Sequence, residues 1–276
     1  MEKPLKIQVL ISTYGPDGPY KIAALPHAPY PGVEYLIGWQ NHDNRPVPKQ
    51  ISEREDFRVI RLESKGLCNN RNALLEEADA DLTVISDDDL SYRASHFENL
   101  IKGVETFPNA DFYAFRYQSK DYPKSYPDKS FDLNKPPKVY FVTSMELVFN
   151  RKKITRDFGN ADMVRLNPYF GVNGDIFGSG EEDILVKRLL RKGMKGMYVP
   201  ADICENTQST TGEREMDTAP FIFAKGAAMK FMHPLTWPLR MILHALRSKT
   251  PFLKYCRWWI SGVKKAASAK VFKNYR

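Results

Sequence analysis

A chain of 276 residues, 42% hydrophobic and 27% charged, can bury a full core as one large α/β domain or as one domain with an appendage, and this composition excludes a disordered or fibrous protein. Its net charge of +8 is unevenly placed: up to Asp217 there are 29 Lys and Arg against 33 acids, a net −4, and beyond it twelve Lys and Arg with no acid. An acidic body with a wholly basic tail predicts a tail drawn to a polyanionic surface. The three cysteines, Cys68, Cys204 and Cys256, are widely spaced and form no CxxC or Cys/His pair, which excludes a soft-metal site and predicts reduced thiols in a cytosolic protein. The start, MEKPLKIQVL, lacks the apolar stretch of a signal peptide, and no run reaches the ~18 apolar residues of a spanning helix.

In chain order, Lys6–Thr13 (KIQVLIST) reads as a first buried strand, closed by the turn Gly15-Pro16-Asp17-Gly18. Glu34–Trp39 is a second strand, and Pro26, Pro29 and Pro31 leave room only for a short helix before it. Phe57–Leu62 is a third strand, Leu67–Ala78 a helix with Leu67, Leu74, Leu75 and Ala78 on one side, and Asp81–Ile85 a fourth strand. Strand, helix and strand at these spacings make a βαβ unit, hence a parallel sheet with ligand chemistry at its carboxyl edge. Ala94–Thr106 is a helix, Asp111–Tyr117 a strand, and Tyr117–Pro137 a long surface loop that could serve as a lid. Val139–Phe149 is another strand and Asn167–Gly180 a Gly-rich loop. Glu181–Lys192 is a helix closed by Gly193, and Met197–Val199 a short strand.

Three constellations can carry chemistry. The fourth strand ends in Asp87, Asp88 and Asp89, whose mutual repulsion calls for water or a cation. Hard divalent cations take one or two carboxylates together with substrate phosphates. Alone, the triplet reads first as a solvated acidic turn. The second constellation, Gly178-Ser179-Gly180-Glu181-Glu182-Asp183, fits a capping box from Ser179 to Glu182 and leaves a carboxylate well placed for a general base. The third runs from Ser64 to Asn72, where Lys65 and Arg71 flank a helix start that already attracts anions.

Together these segments resemble family 2 glycosyltransferases. SKGLCNNRNALLEEADADLTVISDDDL is similar to the stretch in which a Gly and an Arg-Asn pair precede the aspartate-rich DxD motif. GSGEED followed by ILVKRLLRKGMKGMYVP is similar to the acceptor-side ED motif, and VLISTYG to the first nucleotide-binding strand. The resemblance runs from about Lys6 to Thr211 and includes bacterial members that build cell-surface polysaccharides. It implies a GT-A fold, with a mostly parallel Rossmann-like sheet flanked by helices, a nucleotide-sugar donor, Mn²⁺ or Mg²⁺, and inversion at the anomeric carbon. Thr13 and Tyr14 would line the nucleoside site, and Lys65, Arg71 and Asn72 would lie near base, ribose or phosphates. Asp89 would be the direct metal ligand and Asp87 the residue nearer the ribose, with Asp88 the ligand if the alignment shifts by one. Asp183 would be the general base and Glu182 would support the acceptor. Two departures stand out. Gln40 or Asp43 would replace the usual Asp after the second strand, and Asn206 or Glu205 the usual metal-shell His.

The tail adds a membrane expectation. Arg240, His244 and Arg247 fall on one helical stripe among Leu239, Met241, Ile242, Leu243 and Leu246, and Lys254 and Arg257 lie beside Trp258 and Trp259. Helices with cationic faces and Trp on the apolar side lie in a membrane interface. The expected organisation is a catalytic domain over 1–217 and a basic amphipathic helical extension over 218–276, peripheral on the inner face of the cell membrane. The partners are then a nucleotide sugar, a UDP-sugar in the first place, a glycan or lipid-linked acceptor and anionic lipid, with no nucleic acid. A nucleotidyltransferase and an inactive membrane-associated scaffold of the same fold are the rival readings.

Overall fold

Four strands, β1 (Ile7–Tyr14), β2 (Val33–Gln40), β3 (Phe57–Leu62) and β4 (Leu82–Asp87), run parallel in the order β3-β2-β1-β4. In the computed structural model, which describes residues 5–119, 123–138, 140–159, 163–206, 217–273 and 275, they belong to the first of two units. That unit comprises Met1–Lys65, Asn69–Arg165 and Leu189–Gln208; the second comprises Gly66–Cys68, Leu166–Arg188 and Ser209–Arg276. β1 is buried from Ile7 to Thr13, as a central strand covered on both faces requires, and its apolar run reflects that. The helices α1 (Gly18–Ala23), α2 (Lys49–Ser52) and α3 (Leu67–Glu77) connect these strands, and α3 buries Leu74 and Leu75.

The sheet then changes direction. β5 (Leu90–Ser91) follows the acid triplet, and after α4 (Ala94–Thr106) come β6 (Phe112–Gln118), β7 (Phe131–Asp132), β8 (Leu147–Asn150) and α5 (Arg151–Phe158). β8 lies antiparallel between β4 and β6, and β9 (Gly196–Asn206) runs parallel to β6 while pairing antiparallel with β5 and β7. The result is a mostly parallel, mixed sheet flanked by helices.

Two expectations are revised. The segment up to Phe149 is not one strand: Ser144–Glu146 is a 3-10 turn, capped where Thr143 N–H donates to Glu146 Oε2 at 3.1 Å, and pairing starts only at Leu147. The last strand is longer than Met197–Val199 and reaches Asn206, because β6 pairs with it as far as Glu205 and β5 pairs with Glu205 and Asn206, beyond the local apolar run. The described part of the loop before Pro137 is fastened to the sheet rather than free. Tyr126 Oη donates to Glu146 at 2.7 Å, and Tyr198 Oη donates to the Pro127 carbonyl at 2.8 Å. Residues 120–122 of that loop and 207–211 of the family resemblance lie outside the described residues.

The second unit is built from the Gly-rich loop, the start of α6 (Glu181–Arg191) and three further helices, α7 (Ala219–Met232), α8 (Trp237–Ala245) and α9 (Phe252–Ser268). α7 and α9 approach closely because each carries a glycine at the contact. A Cβ at Gly226 would overlap the Trp259 carbonyl oxygen, and one at Gly262 that of Phe223. Phe170 and Phe177 of the loop stack at 4.6 Å and share a core with Ile184 of α6, Phe231 of α7 and Tyr275. Asn167 Nδ2 donates to the Val271 carbonyl at 3.2 Å, tying the loop to the segment after α9. Among the described residues no helix is long and apolar enough to cross a membrane.

Candidate active site

The parallel register brings the carboxyl ends of β1, β2 and β3 level, with Tyr14 beside Gln40 and Gln40 beside Leu62. Beyond them lies a cleft of about 270 Å³ lined by Tyr14, the segment from Asn41 to Asn44, and the segment from Leu62 to Lys65. The first of these segments is tightly curled: Asn41, Asp43 and Asn44 have φ of 52°, 47° and 52°, a left-handed conformation that Asn and Asp tolerate best. His42 holds it in place. Its ring is buried against Trp39 at 5.8 Å, Nδ1 accepts from the Asn44 N–H at 3.1 Å, and Nε2 is left to donate to Glu63 Oε1 at 3.1 Å. Gln40 is buried, and its Nε2 donates to Ser64 Oγ at 3.1 Å, while Asp43 is exposed on the cleft.

The acid triplet sits at the same carboxyl edge, each member differently held. Asp87 accepts from Arg71 Nη2 at 2.7 Å. Arg71 is only 1% exposed and also donates to Ser144 Oγ at 2.9 Å, so its guanidinium is directed at Asp87 from inside the protein. Asp88 accepts from Thr13 Oγ1 at 2.5 Å; burial raises its carboxyl above the ordinary value, and the Thr13 bond opposes that rise. Gly18 makes room for Thr13, since a Cβ there would overlap the threonine hydroxyl. Asp89 leads into β5, where Leu90 pairs directly with Asn206 of β9. Asn206 is buried, and Glu205 accepts from Arg93 Nη2 at 2.6 Å. Asn70 clamps the strand ends by donating to the Thr13 carbonyl at 3.2 Å and the Gly38 carbonyl at 2.8 Å, and any Cβ at Gly38 would overlap its side chain. Asn72 is buried and Lys65 exposed.

In the second unit, α6 begins after Gly180, whose carbonyl accepts from Ile184 N–H at 3.3 Å. With φ of 97°, Gly180 takes the cap position, one residue later than the expected Ser179. The three acids then separate by environment. Glu181 is buried beneath Gly171, where an added Cβ would lie 3.3 Å from its carboxyl carbon and 3.2 Å from Cys68 Sγ. Glu182 and Asp183 are half-buried. α7 packs its Ala228 near Gly180, and one turn earlier it carries Lys225. Burial lowers the Lys225 ammonium from its ordinary value, against the support of the Asp183 and Asp217 charges.

Residues 43–165 match the model of glycosyl transferase family 2. Over that segment, a little under half of the chain, the sequence is similar to family 2 glycosyltransferases. The match takes in Asp43, the Ser64–Asn72 segment and the acid triplet, and leaves VLISTYG and GSGEED outside it. In fold, the chain is similar to S. aureus TarS 1–349, with a TM-score of 0.56 at 11% identity over 99% of this chain and 93% of that one. It is similar also to TarS 1–349 in complex with UDP (TM-score 0.54, 11% identity, 99% and 75%) and with UDP-GlcNAc (TM-score 0.53, 11% identity, 99% and 76%). These likenesses show the GT-A fold. No curated protein sequence matches the chain.

Among the described residues, no three His, Cys, Asp or Glu side chains form a preformed metal cage. A hard cation that takes phosphate oxygens as well needs only one or two carboxylates, and the donor set here is of that kind. Asp87 ends β4 and Asp89 precedes Leu90, which pairs with Asn206, so these three oxygen-bearing residues lie at one sheet edge. The Asp87 and Asp89 charges also converge on Cys204: its thiol is pushed well up, first by burial and then by Glu146, Asp87, Asp89 and Asp202. Sequence reasoning missed Ser144 and the curl of the Asn41–Asn44 segment, of which it singled out Asp43 alone, and it gave Asn70, inside the Ser64–Asn72 constellation, no role of its own. A run of Asn and Asp after a strand was the available signal for the curl; for Ser144 there was none.

Proposed function

We propose that this protein transfers a sugar with inversion from a nucleotide sugar, in the first place a UDP-sugar, to a hydroxyl of a glycan or lipid-linked acceptor in surface polysaccharide synthesis at the inner face of the membrane. The observation that carries the reading is the buried Arg71 that directs Asp87 at the carboxyl edge of the sheet, beside the cleft at the ends of β1 to β3. The TarS complexes with UDP and UDP-GlcNAc support it by fold likeness.

In this reading the base enters the cleft, where Asn41, Asp43 and Asn44 offer polar groups and Tyr14 a ring, while Gln40 braces the cleft wall through Ser64. Thr13 serves through its bond to Asp88, and Arg71 through Asp87, whose carboxylate it holds toward the ribose side. Lys65 and Asn72 stand on the phosphate side of the same helix start. Mn²⁺ or Mg²⁺, held by Asp89, Asp87 and Asn206, would neutralise the departing nucleoside diphosphate. Asp183 takes the acceptor hydroxyl proton as that oxygen bonds to the anomeric carbon and the sugar–phosphate bond breaks on the opposite face. Glu182 orients the acceptor.

Thermal shift and donor turnover test this directly. UDP is expected to raise the melting temperature in the presence of Mn²⁺, and Asp89→Ala to abolish the metal dependence of that shift. Asp183→Ala should retain the shift and lose transfer by about 10²–10⁴-fold. Equal rates for wild type and both variants would establish the scaffold instead.

A further inference from the structure

The twelve cations beyond Asp217 are not consumed by the donor chemistry, and the structure changes where they meet apolar surface. Trp259 is fully buried in a core with Ile222, Ala245 and Tyr255, and Trp258 is half-buried with Lys254 Nζ 4.8 Å from its ring. His244 does not share the cationic stripe expected of it. It stacks on Trp259 at 5.8 Å, and its pKa falls to about 4 through burial and then the charges of Lys225, Arg247 and Arg240. The tryptophans therefore serve the interior of this unit.

What remains outside is aliphatic. On α8 and its last turn, Leu239 (60% exposed), Ile242 (41%), Leu243 (45%) and Leu246 (69%) recur at helical spacing and form one outward stripe, while Met241 and Ala245 turn inward. Leu235 before the helix and Leu253 after it are 91% and 82% exposed. At 100° per residue, Arg240 and Arg247 fall together along one border of the stripe.

We infer that this face of α8 is a docking surface for an anionic lipid bilayer, with the leucines entering the acyl boundary and Arg240 and Arg247 at the headgroup phosphates. Charge complementarity selects the occupant. A second copy would bring twelve cations against twelve with no acid in either 218–276 segment, whereas anionic headgroups satisfy the cations and the acyl layer takes the leucines. A nine-residue helix lies in the interface and does not span it. The inference takes from the proposed function only the membrane location, and it is independent of the donor chemistry.

The test is co-sedimentation of the full chain with vesicles of phosphatidylcholine, alone or mixed equally with phosphatidylglycerol. Wild type should bind the mixed vesicles about tenfold or more tighter than the neutral ones, and rising salt should release it. The pair Leu243→Ser with Leu246→Ser should weaken binding by about tenfold at an unchanged melting temperature. The pair Arg240→Gln with Arg247→Gln should erase the preference for the anionic lipid. Undiminished binding by the leucine pair would overturn this surface while leaving a membrane location intact. No binding by wild type would overturn both, and a dimer dissolved by the leucine pair would assign the face to self-association. The nucleotide-induced thermal shift, read alongside, reports separately on the donor site.

Discussion

In the first unit, buried cations meet carboxylates. Arg71 faces Asp87 at 2.7 Å, Lys124 faces Glu146 at 2.6 Å with side chains 5% and 0% exposed, and Lys153 faces Asp111 at 2.6 Å. In the second unit, Lys225 is pressed toward its neutral form by burial, His244 is held neutral, and the remaining cations of 218–276 have no acid in that segment. The difference is one of purpose. A buried pair adds little net stability, but it fixes where a carboxylate points, which the donor edge needs. Unmatched surface cations orient nothing inside the fold and leave a field directed outward.

That contrast can be broken at its pairs first. Lys124→Met strands Glu146, which also accepts from Tyr126 and the Thr143 N–H, and should cost about 3–5 kcal/mol in urea unfolding. Adding Glu146→Gln should recover a good part of that loss, because the uncompensated charge is gone. A smaller effect is expected in the second unit, where shape rather than charge sets the packing. Gly262→Ala forces a Cβ into the Phe223 carbonyl and should cost about 1–3 kcal/mol. Because α7, α9 and the Asn167–Gly180 loop share this unit, limited proteolysis should also show that loop opening.

The smallest expected effect is that of pH. His244 has a folded pKa of about 4 against an ordinary 6.5, so between those values the unfolded chain binds more protons. Stability should therefore fall as pH drops from 6.5 toward 4, and His244→Gln should flatten that part of the profile, read as melting temperature against pH.

Much of the fold was legible because its signals are local. Continuous apolar runs marked β1, β2 and β4, the 3.6-residue period marked α3 and α4, and Gly193 at φ of 85° marked the stop after α6. The acid triplet was visible for the same reason, as three carboxylates ending an apolar strand. β5 and the outer half of β9 were not, since neither has a local pattern: β5 exists by pairing with β9, and the outer half of β9 by pairing with β6 and β5. The 3-10 turn at Ser144–Glu146 interrupts an apolar run for a reason that lies elsewhere in the chain, in Lys124 and Tyr126.

The sequence by itself determined that a parallel sheet ends in three acids, that a second acid cluster opens a later helix, and that the charge after Asp217 is wholly positive. Only the tertiary structure decided which way those charges face. Arg71 turns inward to Asp87, Trp259 goes to a core and leaves the leucines of α8 outside, and Leu166–Arg188 folds with the basic helices instead of with the sheet. The physical reason is common to all three. Composition and period report what a residue prefers, but the direction of a long side chain is settled by partners distant in sequence, which exist only once the chain has folded.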